Sequence, residues 1–564
     1  MTKPFDLPWV LARPPWIYRK SPRSVEPVVV KTKKSEATDE ALAQFTNCAV
    51  FGGWRPDNDA RAWAHYEAHV EDTLLAILPI AIGEWNPKRK IAERIVRILA
   101  QRHPEEVREV AASYGKKAKA SVEEILTVDP RLDCPGAAPD MSPAWKPTAL
   151  PRPHLVDGSE MPLEALEHLG HMLAFSTLDR PYAGIADVKA VCEPRSLAEL
   201  AWAAAVAWEE AGAARRDQWM IESLAHLGDD IVIRRTTPAL KSARVLDVLA
   251  ATPTDASATE LCTILWRFSQ DKPKPDYDVK ETRAAFTALA RRRGMSEGEL
   301  EDTLAPTILP APPIKFGVDD RLDPFLQTAG GTRHHTLPPT STWKDLQEDV
   351  AAVSDARIRS LERAMITGRA WTVDAFRKAW LDHTLMTHVS RCVVWRTGDR
   401  AFRVAEDGSF ADAHDDATEL GKIVAIAHPA ELGEEERAKW IAVLADYRLV
   451  QPFEQMARRV LPPVKGGSVA LFPMASIGQR ELYEKLNAHG FTVDFRNKGQ
   501  YASRACTRAS GRLGLAIAFE NQKVSSLTLK YERANKPVDL DAANAVDVSE
   551  IAHDLDLTLR ASAP

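Results

Sequence analysis

The stretch that most constrains the fold runs from Gly421 to Val460, GKIVAIAHPAELGEEERAKWIAVLADYRLVQPFEQMARRV. Ile423 to Ala427 is a short apolar run rich in β-branched residues, which predicts a buried strand. His428-Pro429 ends it. Gly433 and three glutamates, Glu434, Glu435 and Glu436, then open a helix, with negative charge where the helix dipole favours it. Trp440, Val443, Leu444 and Tyr447 recur at helical spacing and predict one buried stripe. A second helix is expected from Pro452, with Phe453, Met456, Ala457 and Val460 on one face. Arg458 and Arg459 occupy its last turn, and Pro462-Pro463 stop it. If the first helix packs along the sheet, its length puts His428 and Gln451 at opposite ends of the layer.

The surrounding chain reads as mainly α: a HEAT-like helical body, a smaller α+β signature domain, and a C-terminal α+β domain. Residues 1–45 are rich in Pro and carry Trp9 and Trp16, and are expected to form an arm docked through its tryptophans. Residues 46–330 are read as the helical domain. There Trp63, Tyr66, Val70, Leu74 and Ile77 make one stripe, and helices follow from Pro87, at Glu105–Tyr114, Ser121–Leu126, Leu163–Thr177, Leu197–Ala211, Trp219–Leu227 and Ala239–Ala251, and from Lys280 to a stop at Gly294. Short amphipathic helices joined by brief turns suggest stacked pairs without a strict repeat. Residues 331–463 are read as helices plus a small antiparallel sheet. A helix is expected over Asp355–Ile366 and a second capped by Thr372, with strands in Val389–Phe410 turning at Thr-Gly-Asp and Asp-Gly. Residues 464–564 read as a strand at Ser468–Phe472, a helix at Gln479–Ala488, strands at Phe491–Phe495, Leu513–Phe519 and Val524–Tyr531, and a last helix over Asp547–Leu559.

Chemistry is sparsely signalled. The chain has 564 residues and a net charge of −6 with its basic residues dispersed, which argues against a dedicated nucleic-acid surface. No run reaches the ~18 apolar residues of a membrane span, and the N-terminus lacks a secretory core. Six separated cysteines without CxxC spacing point to reduced thiols and a cytoplasmic location. His65 and His69 sit four apart but no third ligand is placed beside them, so no metal is expected. No phosphate-cradling loop is complete, so no cofactor is expected; Gly330-Gly331 before Arg333-His334-His335 is at best a loop for an anion. His383 continues the apolar stripe of Phe376, Ala379 and Trp380, where a core histidine is the ordinary outcome. His428, at the end of a buried strand, is the better-placed catalytic candidate, although the Pro that follows it favours a structural turn.

A resemblance adds to this. His428-Pro429-Ala430-Glu431-Leu432, Trp440, Asp446-Tyr447, Gln451-Pro452-Phe453, Gln455 and Arg458 are similar to the hallmark of a bacterial family named for the MolR regulator of molybdate metabolism. Gly294-Met295-Ser296, Glu299 to Asp302, Leu361-Glu362, Arg369, Trp371, Val394-Trp395 and the pair Trp208 and Trp219 agree. Genes of that family often carry WGR domains and lie beside a MoxR-type AAA+ ATPase and a von Willebrand factor A protein. The resemblance implies a component of a stress or defence system with such a protein partner, and supplies no catalytic residue. Two functions follow. The first is a noncatalytic scaffold or adaptor, for which Arg369, Gln451 and Arg458 are candidate binding residues. The second is an enzyme with its site near His428, at the junction of helical body and sheet, if Arg369, His383, His428, Gln451 and Arg458 converge there; equally, the five can form a satisfied buried network that fixes the packing.

Overall fold

The computed structural model describes residues 7–12, 14, 16, 27–33, 35–50, 62–63, 65–84, 86–132, 140–270, 277–306, 315–318, 324–327, 333–334, 341–460, 469–473, 479–488, 490–495, 500–508, 511–520, 523–533, 536–538 and 545–560. The fold is mainly α, with small sheets in its C-terminal part. The chain divides into two compact units: residues 1–260 with 275–289, and residues 261–274 with 290–564. Among the described residues no helix is long and apolar enough to cross a membrane. The loop at Gly330-Gly331 lies largely outside the described residues.

The first unit is built from short helices that pack on their sequence neighbours. Asn86 caps the helix Pro87–Arg102 by accepting from the Arg89 amide, and Pro87 supplies the first helical position. Tyr66, Leu74, Ile77, Val96, Val107 and Val122 share one core with it. Helices Leu163–Ala174, Pro194–Glu210 and Trp219–Leu227 follow the apolar spacing read from sequence. Other helices were not read, among them Gly184–Val191, Asp230–Ala239 and Glu36–Val50, the last lying mostly within the expected arm and burying Ala41 and Phe45 in the core with Tyr66. Trp16 is buried edge-on against Phe175 and Tyr182, with ring centroids 5.0 and 5.7 Å away, so this part of the arm docks on the first unit.

The second unit is organised by the helix Ser341–Thr367, twice as long as the stretch read from sequence. Trp343, Leu346, Val350, Val353, Leu361, Ala364 and Met365 line its buried side. The stripe is interrupted by the fully buried Arg357, and that charge hid the continuity of the pattern. Glycine ends the helix: Gly368 takes φ 75°, a left-handed conformation that other residues adopt at a cost.

A five-stranded antiparallel sheet packs beside this helix, in the order Ala370–Thr372, Ile423–Ile426, Trp395–Thr397, Arg400–Val404, Phe410–Ala411. The Ile423 strand is therefore central, paired as Trp371↔Val424 on one side and Trp395↔Ile426 on the other. The turns at Thr-Gly-Asp and Asp-Gly form as expected, but strand begins at Trp395 rather than Val389, because Met386–Arg391 is helical. Trp371, Trp380 and Trp395 meet within one cluster, with centroid separations of 5.6 to 6.0 Å.

The C-terminal part is a six-stranded sheet with helices Gln479–Ala488 and Ala545–Arg560. Leu513, Leu515 and Ile517 alternate inward and pair with Tyr531, Leu529 and Leu527 across the longest ladder. They join Leu482, Leu486, Val548, Ile551 and Ala552 in a core of their own.

Candidate functional site

The helix Glu434–Asp446 forms where the glutamates predict it. Trp440 is fully buried and Leu444 nearly so, but Tyr447 is exposed, a correction to the expected stripe. Its ring lies under the Arg403 guanidinium and its hydroxyl donates to Asp415. The helix closes with the next residue, Arg448, at φ 55°. The Leu449 amide donates to the Leu444 carbonyl and the Arg448 amide to Ala445, the reverse-turn cap that usually carries glycine. Arg448→Gly should therefore stabilise this region by about 0.5–1 kcal/mol, the left-handed strain relieved less the added freedom of the unfolded chain. An unchanged or lower urea midpoint would show that no strain is held there.

Residues after Arg448 do not form the second helix expected from Pro452; they are a run of turns. Side chains replace the helical ladder. Gln451 accepts from the Met456 amide and donates to Gln455, at 2.9 and 2.7 Å. Gln455 is fully buried and satisfied on all sides. It accepts from the Val394 amide and donates to the carbonyls of Val394 and Ala427. Arg437, on the preceding helix, holds the carbonyls of Met456 and Arg458. The turn segment thus folds back against the end of the Ile423 strand. Gln451 reaches Ala427, the neighbour of His428, through the single side chain of Gln455. The expected separation of the two by a helix length does not occur.

His428 closes that strand and is wholly buried. Its Nδ1 accepts from the Ala430 amide at 3.0 Å. The proton therefore sits on Nε2, which donates to Glu550 at 2.9 Å. Its own amide donates to Glu431, completing a cap on the turn Pro429–Glu431. Glu550 comes from the C-terminal helix and also receives Arg458 through Nε and Nη2. Arg458 extends to Glu362 on the long helix at 2.9 Å and to the Glu454 carbonyl. Four segments are tied by one charge network whose centre is sealed: His428, Glu550 and Arg458 are each at most 2% exposed.

Burial drives the His428 pKa below its ordinary value, with Arg508 and Arg458 adding to this against the pull of Glu550. Burial pushes the Glu550 carboxyl upward, but the hydrogen bonds from His428 and Arg458 outweigh it and leave it below the usual range. Both groups thus bind protons less readily when folded. Their stabilisation is complete above about pH 6.5 and is lost as pH falls, first through His428 and then through Glu550 below about pH 4.3. Between pH 7 and 5, His428→Gln should flatten the fall in unfolding free energy by up to about 1.4 kcal/mol per pH unit. Parallel wild-type and variant curves would remove His428 as the cause.

The other two sequence candidates belong to a second set. Arg369 pairs with Asp302, which also accepts from the Trp371 indole at 2.7 Å, and the Arg369 guanidinium lies over the Trp371 ring. Buried Arg357 donates to the carbonyls of Asp302, Leu304 and Ala379, and burial pushes its pKa down to about 10. His383 donates through Nε2 to Leu304 at 2.9 Å, and its Nδ1 faces the amides of Leu385 and Met386. Burial, with Arg357 nearby, pushes its pKa down to about 4. The five candidates therefore do not meet in one cleft. His428 and Arg458 share one charge network, with Gln451 beside it in the Gln455 clamp; Arg369 and His383 belong to the other set.

Sequence reading missed Glu550 and passed over Gln455. Gln455 was visible as part of a motif, but its role depends on two strand ends coming together. Glu550 lies 122 residues from His428, and no local spacing marks it. Among the described residues no group of three or more His, Cys, Asp or Glu side chains is arranged to hold a metal ion.

A family model described as a domain of unknown function, DUF4132, matches residues 331–491. That span holds the five-stranded sheet, His428, Gln455 and Arg458, and leaves Glu550 outside. The chain is 28% identical over 536 residues to the uncharacterized protein YehI of Escherichia coli strain K12, an alignment covering 85% of this chain. It spans 44% of that relative's length. No solved structure matches.

Proposed function

We propose that this chain is a noncatalytic scaffold or adaptor of the bacterial cytoplasm. It belongs on this reading to a MolR-like family and works in a stress or defence system beside a MoxR-type AAA+ ATPase or a von Willebrand factor A protein. One observation carries the noncatalytic part. A general base needs one ring nitrogen free for the reacting proton. Both candidate histidines have both nitrogens engaged: His428 between Ala430 and Glu550, His383 between Leu304 and the amides after it. Arg458 and Gln451 are likewise committed to internal partners. The side chains that sequence points to as chemistry serve as internal ties, and binding is left to exposed surface. The partner comes from the resemblance alone.

The test is direct. Purified chain is mixed with the MoxR-type ATPase encoded in the same genome, with ATP, with ADP and without nucleotide, and run by size-exclusion chromatography. Co-elution that depends on nucleotide is expected. Separate elution in all three conditions would end the partner assignment, and hydrolase or transferase turnover lost in His428→Gln while the fold persists would end the noncatalytic one.

A further inference from the structure

The C-terminal helix Ala545–Arg560 has two unlike faces. Val548, Ile551 and Ala552 belong to the apolar core of the six-stranded sheet. Asp547 and Glu550, three residues apart and both nearly inaccessible, serve polar ties instead. The core around the sheet takes its residues from 482–552, the core around Trp440 from 394–456, and the two share none. Val546 is the only buried apolar side chain of the described part of this helix outside the first of these cores.

Ionic or charge-assisted bonds join the C-terminal sheet and its helix to residues 341–460. Glu550 enters between His428 and Arg458. Arg508, whose amide is held by Asp547, donates to the carbonyls of Met365 and Ile366 at the end of the long helix and pairs with Glu431. His553 lies 3.9 Å from Glu454. Apolar burial within one cluster gives cooperative folding, whereas a polar contact between separate cores behaves as an interface that opens on its own. A buried charge pair suits such an interface: it adds little net stability when intact and strongly opposes closure when one member is lost.

We propose that residues 469–560 form a separately folded module docked on the signature region by an ionic lock, with Glu550 as the bolt and His428 with Arg458 as the socket. The lock opens as a unit, without melting the module's sheet. Opening exposes His428, at the end of the Ile423 strand, and Arg458, which Glu550 otherwise occupies.

Hydrogen exchange on the full chain, read by mass spectrometry at pH 7, tests this. Glu550→Gln keeps the side-chain shape and removes the charge. It should raise exchange roughly a hundredfold in peptides covering 424–428 and 451–458, the order expected when one partner of a buried pair is lost. Peptides covering 512–520 and 523–529 should keep their wild-type protection. Equal loss of protection in those strands would overturn the proposal, because the module would not be a unit. Unchanged exchange throughout would overturn it too, because Glu550 would not be the bolt. Should Glu550→Gln fail to fold, the double variant Glu550→Met with Arg458→Met replaces the pair by apolar groups and should dock with wild-type protection at 424–428. Failure of that chain to fold would overturn the proposal, because a separately folded module does not need this contact in order to fold.

Discussion

Trp440→Ala should lower the stability of the signature region by about 3–5 kcal/mol, the range for removing a large aromatic from a packed core. Trp440 is fully inaccessible and shares its cluster with Val394, Ala401, Ala427, Leu444 and Met456. Val394 and Ala427 carry the backbone groups that Gln455 clamps, so the cavity would open beside the clamp. The loss should come from packing and not from a hydrogen bond, since the indole Nε1 has no partner among the described residues. Trp440→Phe should accordingly cost much less, about 1–2 kcal/mol. Urea unfolding followed by circular dichroism reads both. An Ala variant within 1 kcal/mol of wild type, or a Phe variant as damaged as the Ala one, contradicts this account.

Arg458→Ala should be of similar size, about 3–5 kcal/mol, for a different reason. The substitution leaves Glu550 buried with only His428 to face it, and frees Glu362 and the Glu454 carbonyl as well. The penalty is that of an uncompensated buried carboxylate, so acid should relieve part of it. The gap between variant and wild type is expected to narrow below about pH 5, as Glu550 of the variant takes up a proton at a pKa no longer held down by the guanidinium. A double-mutant cycle with Glu550→Ala should give a coupling well above 1 kcal/mol. Additive losses would mean that the two side chains act apart, and the lock would lose its basis.

What could be read in advance was whatever short-range patterns control. The left-handed stop at Gly294 and the Thr372 cap both rest on residues within a few positions of one another. The start of the helix at Glu434 and the helix Gln479–Ala488 fall where charge and period placed them. Errors arose where a side chain overrode local propensity. Pro452 to Val460 has a helical apolar spacing, yet Gln451 and Gln455 spend their amides on the backbone of their own turn and of two strand ends, and turns replace the helix. Tyr447 fits the stripe of Trp440 by spacing, but the helix ends at Asp446 and the left-handed Arg448 turns the chain out of register.

The sequence by itself determined the mainly helical class, a strand from Ile423 and the burial of Trp440, because hydrophobic period and end caps act over one or two turns. Only the tertiary structure decided what His428 and His383 do. A ring nitrogen is a base or a brace according to what lies within 3 Å of it, and those partners come from residues far along the chain or from backbone amides that no side-chain pattern reports. For His428 the deciding partner is Glu550, 122 residues along the chain, and a polar pair buried this deeply has to be satisfied from within the fold.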